Sequence, residues 1–177
     1  MKRKFEQGSL LVVAVAMLFV GISSCTNKIT AEASGPGYDY IEQTINDEVV
    51  MLTEQMAEIY PICPEILQAI SFFESSNDKN VVSKYGDIGY MQVNPKWQSD
   101  RMDKLGVANL YDGYSNILVG TDYLYEMCVE HGDIAVALMA YNVGSDKAVE
   151  LAEAGVISDY AKKILDLSEK LERLHGK

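Results

Sequence analysis

Apolar residues recur every three or four positions in the chain after residue 40: Ile41, Ile45, Val49, Leu52, Met56 and Ile59. This spacing places their side chains on one face of a helix. Pro61 ends the run. A second apolar run, CPEILQAISFFES, has Pro64 where the first turn of a helix tolerates proline, with Glu65 beside it. We therefore predict two helices before residue 76.

Residues 76–94 have a different pattern, because Asn, Asp, Ser and Gly interrupt them and only the short stretch IGYMQVN alternates between apolar and polar positions. We expect a loop here with a small β element. Further helical segments follow, each delimited by a capping residue, a proline or a glycine: Pro95, Gly106, Gly132, Asp133, Gly144, Gly155 and Ser158. The pattern predicts a mostly α fold.

Composition bounds the size and the partners of this fold. With 177 residues, of which 48% are hydrophobic, the chain can bury one sizeable core, and a single domain is predicted. Its formal net charge is -11. Nucleic acids bind proteins largely through lysine and arginine, so we expect no nucleic-acid partner.

The first 39 residues have the pattern of a targeting segment. MKRK is basic, and the apolar run SLLVVAVAMLFVGI is shorter than the roughly 20 residues that span a bilayer. The next residues, Ile22-Ser23-Ser24-Cys25, resemble the bacterial lipobox, in which the cysteine is lipidated after cleavage. We predict a signal peptide over residues 1–24, a flexible tether over 25–39, and a lipid-anchored domain outside the cytoplasm over 40–177. The alternative is ordinary secretory cleavage beside an incidental cysteine.

A location outside the cytoplasm changes the redox state expected of the other cysteines. With Cys25 lipidated, Cys63 and Cys128 remain, and disulfides are stable outside the cytoplasm. We predict that these two form a disulfide; the alternative is that each is a buried free thiol. The chain has two histidines, His131 and His175, and neither lies at a ligand-like spacing from another candidate. We therefore expect no metal and no cofactor.

Glu74 is the candidate catalytic group, because it follows two phenylalanines at the end of an apolar helical run. A carboxylic acid among apolar side chains loses hydration of its charged form, which raises its pKa. Such an acid can protonate the oxygen of a leaving sugar. The alternative is a solvated surface glutamate at a helix end.

Glu74 belongs to an ordered series of motifs: ILQAISFFESS, Ser83, GYMQVNP, ALMAYNVG and Tyr160 in SDYAKKIL. The series resembles that of the soluble lytic transglycosylase family, relatives of goose-type lysozyme, over roughly residues 60–165. The resemblance implies a lysozyme-like α fold with a small loop or β element in its cleft. It also implies cleavage of the β-1,4 bond between N-acetylmuramic acid and N-acetylglucosamine, with peptidoglycan glycan strands as the partner.

The resemblance also implies residue roles. Glu74 matches the catalytic acid and base, and the substrate-binding positions are Ser75, Gly89, Met91, Gln92, Tyr141, Asn142 and Tyr160. Of these, Ser75 matches a residue that contacts the acid or the sugar, and Tyr160 matches a tyrosine whose hydroxyl approaches the acid. Gly89, Met91 and Gln92 match a segment that forms the cleft floor, in which Tyr90 replaces the usual leucine. Taken singly, these residues have ordinary alternatives: core packing for Met91, Tyr141 and Tyr160, and local backbone capping for Gln92 and Asn142.

In the family's scheme, one glutamate acts twice. Glu74 would protonate the glycosidic oxygen, the 2-acetamido group would support the developing cation, and Glu74 would then deprotonate the C6 hydroxyl to close a 1,6-anhydro ring. Asp87 could instead position a water, which would make the protein a hydrolytic muramidase. A non-catalytic, wall-associated lipoprotein is a third interpretation. Lipid tethering suits local wall opening, for example at a secretion or conjugation apparatus.

Overall fold

The computed structural model describes residues 45–177. Within this part of the chain seven helices follow one another: α1 Asp47–Ile59, α2 Pro64–Ser75, α3 Ser99–Leu105, α4 Gly113–His131, α5 Ile134–Val143, α6 Ser145–Glu153 and α7 Asp159–Leu174. The mostly α prediction is confirmed. The signal peptide over 1–24, the tether over 25–39, Cys25 and Ile41 lie outside the described residues. None of the helices described is both long and apolar enough to cross a membrane.

Capping residues explain where the helices begin. The side chains of Asn46, Asp112, Asp133 and Ser158 each accept a hydrogen bond from a backbone N–H in the first turn of the following helix, which satisfies a donor that the helix itself leaves open. The first helix therefore begins at Asp47, later than the apolar pattern predicted. Ile45 precedes it but is still buried.

The core lies between α2 and the helices packed around it. α2 packs against α7 and α1, α4 packs against α5, α1 and α3, and α5 also contacts α6 and α7. Leu67 and Ile70 of α2 are fully buried, as are Ile117 of α4 and Leu138 of α5. Each buried aliphatic side chain of this size contributes about 1.5–3 kcal/mol to folding. This packing fixes α2 relative to the rest of the domain.

The loop after α2 contains the small β element that the sequence predicted. It consists of two antiparallel bridges, from Val82 to Ile88 and from Ile88 to Val93. Ser76 and Asn77 have φ angles of 54° and 60°, so the chain reverses directly after the last turn of α2. The reversal brings residues 83–94 back beside the end of that helix.

The predicted disulfide between Cys63 and Cys128 is wrong, because both are free thiols in the structure. Cys63 immediately precedes α2, and its Sγ donates to Glu65 Oε2 at 2.7 Å and lies 3.3 Å from Glu172 Oε1 of α7. The Cys63 side chain thus faces α7, whereas Cys128 belongs to α4. Burial raises the pKa of the Cys128 thiol to about 11, so this thiol remains protonated at neutral pH.

Candidate active site

Glu74 lies in the last turn of α2 and is half-buried. Its Oε1 accepts a hydrogen bond from the Tyr160 hydroxyl at 2.6 Å. Burial raises the pKa of Glu74 because it removes water from the charged form, and the negative charge of Asp87 raises it further. The hydrogen bond from Tyr160 lowers the pKa, but by less than burial and Asp87 together raise it. The result is a carboxyl group that holds its proton to higher pH than an exposed glutamate.

Tyr160 reaches Glu74 from the first turn of α7. Ser158 accepts a hydrogen bond from Ala161 N and so caps that helix, which begins at Asp159, one residue before Tyr160. Burial and the neighbouring charge of Glu74 both raise the pKa of Tyr160. The phenol therefore stays protonated and donates to the carboxylate, which places Tyr160 as predicted.

The segment GYMQ, residues 89–92, is held by a residue that sequence reasoning missed. Asn116 of α4 is fully buried; its Oδ1 accepts from Met91 N at 2.9 Å, and its Nδ2 donates to Ile88 O at 2.7 Å and Leu110 O at 3.0 Å. Gly89 has a φ of 71°, and a Cβ at this position would lie 2.6 Å from Asn116 Nδ2. A glycine is therefore required here. The signal in the sequence was a polar residue within the apolar run YSNILVG.

Met91 is buried against a second residue that the sequence did not single out. A Cβ on Gly120 of α4 would lie 2.6 Å from Met91 Sδ and 2.8 Å from Met91 Cβ. The absence of a side chain on Gly120 lets the segment approach α4 closely. Met91 thus serves as packing beneath the cleft.

Two hydroxyl groups fix the same segment from other sides. Ser75 Oγ lies 3.0 Å from both the Ser71 and Tyr90 carbonyl oxygens, and its single proton serves both acceptors in turn. Tyr141 donates to Met91 O at 2.9 Å. Ser75 therefore links α2 to the floor segment, whereas the prediction had it contact the acid or the sugar.

An open cleft of about 470 Å³ lies beside this floor. Four of the predicted residues line it: Glu74, Gln92, Tyr141 and Asn142. Gln92 has a φ of 47°, and its Nε2 donates to Gly89 O at 3.1 Å, so its amide is braced by the loop backbone. The wall is completed by further polar and aromatic side chains: Ser83, Asp87, Asn94, Trp97, Gln98 and Tyr123. Ser75, Gly89, Met91 and Tyr160 support these groups from behind.

Asp87 is the second carboxylate of the cleft. Its Oδ2 accepts from Ser83 Oγ at 2.6 Å, and its Oδ1 accepts from Asn94 Nδ2 at 2.7 Å. Both oxygens are therefore engaged by the loop itself. Glu74 is the group with a raised pKa, and Asp87 is a fixed negative charge near it, so the cleft provides one proton donor that can later act as a base.

A separate group of side chains could hold a metal ion. Cys63, Glu65 and Glu172 place their ligand atoms within 4.8 Å of one another. They lie at the start of α2, whereas Glu74 lies at its end.

Comparison with known proteins gives consistent matches. The chain matches the sequence family described as "Transglycosylase SLT domain" over residues 51–155. It is 34% identical over 89 residues to the "Transglycosylase" of Enterobacteria phage PRD1, a match that covers 50% of this chain and 32% of the phage protein.

Solved lytic transglycosylases are among the structures that the chain resembles. The 70-kDa soluble lytic transglycosylase of Escherichia coli has a TM-score of 0.69 and 21% identity, with 79% of this chain and 26% of that chain covered. An inactive mutant of the Slt lytic transglycosylase of Pseudomonas aeruginosa has a TM-score of 0.62 and 19% identity, with 71% and 24% covered. The chain thus spans about a third of the length of the phage relative and about a quarter of these structures. The matches confirm the resemblance and the fold that the sequence predicted.

Proposed function

Since the chain belongs to the Transglycosylase SLT domain family, we propose that it is a peptidoglycan lytic transglycosylase. It cleaves the β-1,4 bond between N-acetylmuramic acid and N-acetylglucosamine and leaves a 1,6-anhydromuramic acid end. One observation supports this proposal above the others: Glu74 faces the cleft with a raised pKa and accepts a hydrogen bond from Tyr160.

The proposed reaction uses Glu74 twice. Protonated Glu74 gives its proton to the glycosidic oxygen as the bond breaks, and the sugar's own 2-acetamido oxygen supports the developing cation. The Glu74 carboxylate, now stabilised by the Tyr160 hydroxyl, takes the proton from the C6 hydroxyl. That oxygen closes the 1,6-anhydro ring, and Glu74 regains its starting proton.

A hydrolytic muramidase is the second candidate, because Asp87 lies in the same cleft. To activate a water, Asp87 would need unused acceptor capacity on a carboxylate oxygen directed at the sugar. Both of its oxygens accept hydrogen bonds from Ser83 and Asn94, which favours the reaction without water. A non-catalytic wall-binding protein is disfavoured, since it has no need of a desolvated acid in the cleft.

Mass spectrometry of the products distinguishes these candidates. Purified peptidoglycan digested with the full chain should yield muropeptides that are lighter by one water than those with a reducing end. If most products instead have a reducing end, the protein is a hydrolytic muramidase. Unchanged peptidoglycan, under conditions where a known muramidase digests it, would support the non-catalytic candidate.

We further propose that the protein lies outside the cytoplasm, anchored to the bacterial membrane by lipid on Cys25. The basic, apolar and ISSC segments of residues 1–25 support this proposal. A tethered enzyme would open the wall locally, for example for a secretion or conjugation apparatus. Cys25→Ala should leave an uncleaved precursor or a released protein, and normal processing with membrane partition of this variant would contradict the anchor.

A further inference from the structure

The start of α2 contains a carboxylate that has no role in the cleft. Glu65 is fully buried. Its Oε2 accepts from Cys63 Sγ at 2.7 Å, and its Oε1 lies 2.7 Å from His175 Nδ1 and 2.6 Å from Lys177 Nζ. A buried carboxylate needs compensation. Here the compensation comes from residues that follow α7, more than a hundred positions along the chain.

The donor atoms in this cluster converge from two separate segments of the chain. Cys63 Sγ lies 3.3 Å from Glu172 Oε1, and the ligand atoms of Cys63, Glu65 and Glu172 are all within 4.8 Å of one another. Glu172 and His175 are three residues apart at the end of α7, so their side chains lie on the same side of that helix. Neighbouring ligands of a tetrahedral zinc ion are roughly 3.3–3.6 Å apart. Small side-chain movements would bring Cys63, Glu65 and Glu172 to that geometry. His175 lies outside this group of three, with its Nδ1 2.7 Å from Glu65 Oε1, and would have to move further to become the fourth ligand.

The types of ligand indicate the class of metal. Thiolate sulfur favours zinc and other soft or borderline cations, whereas calcium and magnesium take oxygen ligands alone. Imidazole and carboxylate are common zinc ligands as well. A thiolate, two carboxylates and an imidazole together therefore fit Zn²⁺ better than a hard cation.

The charges also fit a divalent cation. The Cys63 thiolate, Glu65 and Glu172 carry three negative charges. A zinc ion carries two positive charges, and Lys177, which contacts Glu65 Oε1, carries one positive charge. The sum is zero. Glu65 also lies in the first turn of α2, where the helix dipole favours negative charge.

We propose that Cys63, Glu65, Glu172 and His175 form a zinc site that joins the end of α7 to the start of α2. Without the metal, the Cys63 thiol keeps its proton and shares it with Glu65. Zinc binding releases that proton to solvent as the sulfur becomes a thiolate ligand. The site is structural, because Glu65 and Glu74 are nine residues apart on one helix, which corresponds to about 14 Å.

The chain offers a matched control for this proposal. Cys128 is also a free, half-buried thiol, but it belongs to α4 and not to the cluster. The full chain is compared with Cys63→Ser, His175→Gln and Cys128→Ser, and Cys25 is present in all four proteins. Each is treated with a chelator, loaded with zinc and passed over a desalting column, and its zinc content is measured. Loading with Co²⁺ reports a thiolate ligand through the near-ultraviolet charge-transfer band.

The wild type and Cys128→Ser should each retain about one zinc per chain and show the cobalt–thiolate band. Cys63→Ser and His175→Gln each remove a proposed metal ligand. Their zinc affinity should therefore fall by more than roughly 10- to 100-fold, which is the loss expected when a residue that only hydrogen-bonds a ligand is removed. Zinc should raise the melting temperature of the wild type and of Cys128→Ser, but not that of Cys63→Ser. This last comparison also shows whether Cys63→Ser is folded.

Two results would overturn the proposal. A wild type that keeps no zinc would leave the cluster as a set of hydrogen bonds and ion pairs. Zinc that is retained equally by Cys63→Ser would place the metal elsewhere on the chain. Neither result bears on the proposed glycan cleavage, since that reaction is assayed separately and uses the other end of α2.

Discussion

The Tyr160 hydroxyl donates a 2.6 Å hydrogen bond to Glu74 and so joins the first turn of α7 to the last turn of α2. The bond has two effects on the carboxyl group. It fixes the orientation of the acid toward the cleft, and it stabilises the carboxylate that forms after proton transfer.

Glu74→Gln should reduce peptidoglycan cleavage by at least about 10²- to 10⁴-fold, because glutamine has a similar shape but no transferable proton. The release of soluble muropeptides from purified walls measures the effect. Glu54→Gln, at an exposed position of α1, is the matched control and should keep full activity. Substantial cleavage by a folded Glu74→Gln protein would exclude Glu74 as the acid.

The same substitution should stabilise the protein at neutral pH. The folded pKa of Glu74 lies above its ordinary value of 4.5, so the folded state binds more protons than the unfolded state between these two values. The free energy of unfolding therefore falls as pH rises through this window, and the loss persists above it. Glu74→Gln avoids this loss.

Thermal or urea unfolding at about pH 7 and about pH 4 tests this point. Glu74→Gln should be more stable than the wild type at the higher pH, and this advantage should shrink below pH 4.5. An equal difference at both pH values would show that burial of the charge is not its cause.

Tyr160→Phe and Asp87→Asn should move the alkaline limb of the activity profile in opposite directions. That limb reports ionisation of Glu74, which must be protonated to act as the acid. Loss of the Tyr160 bond raises the pKa of Glu74 and moves the limb to higher pH; loss of the Asp87 charge lowers the pKa and moves it to lower pH.

Tyr160→Phe and Asp87→Asn should also differ in how much they slow cleavage. Tyr160→Phe should slow cleavage at least about tenfold, since a hydrogen bond to a charged group contributes about 1.5–3 kcal/mol. Asp87→Asn should stay within about tenfold of the wild type, because ring closure by the C6 hydroxyl needs no water. An inactive Asp87→Asn protein, together with reducing-end products, would favour the hydrolytic reaction.

Gly89→Ala should destabilise the domain more than Gly86→Ala. Both glycines have positive φ angles, 71° and 88°, but a Cβ on Gly86 has no atom within 4 Å, whereas one on Gly89 would meet Asn116. The conformational penalty is about 1–2 kcal/mol for each, and the clash should add about 1–3 kcal/mol for Gly89. Urea unfolding of the two variants measures the difference, and equal losses would contradict the role of Asn116.

The features predicted correctly from the sequence are those that local chemistry determines. Capping side chains at Asp133 and Ser158 accept bonds from the turns that directly follow them, so the pattern of neighbouring residues is sufficient to place these helices. Glu74 was found because it ends an apolar helical run and because the motif series matches a known family, although Phe73 beside it is exposed in the structure.

The features that were missed depend on contacts between distant segments. Asn116 holds residues 88–91 from 25 or more positions away. Its place within an apolar run hints at burial, but the local pattern does not show which segment it contacts. Glu65 meets His175 across 110 positions, so a search for ligands at short spacings could not find this cluster. The disulfide prediction failed for a similar reason, because counting cysteines gives no side-chain direction.

The bond between Glu74 and Tyr160 spans 86 residues, and this separation has a consequence during synthesis. When α2 leaves the ribosome, its glutamate has neither its phenol nor the burial that raises its pKa, so it titrates near 4.5 like any exposed glutamate. The raised pKa arises only when distant segments pack around Glu74, so the acid is a product of folding and not of the local sequence.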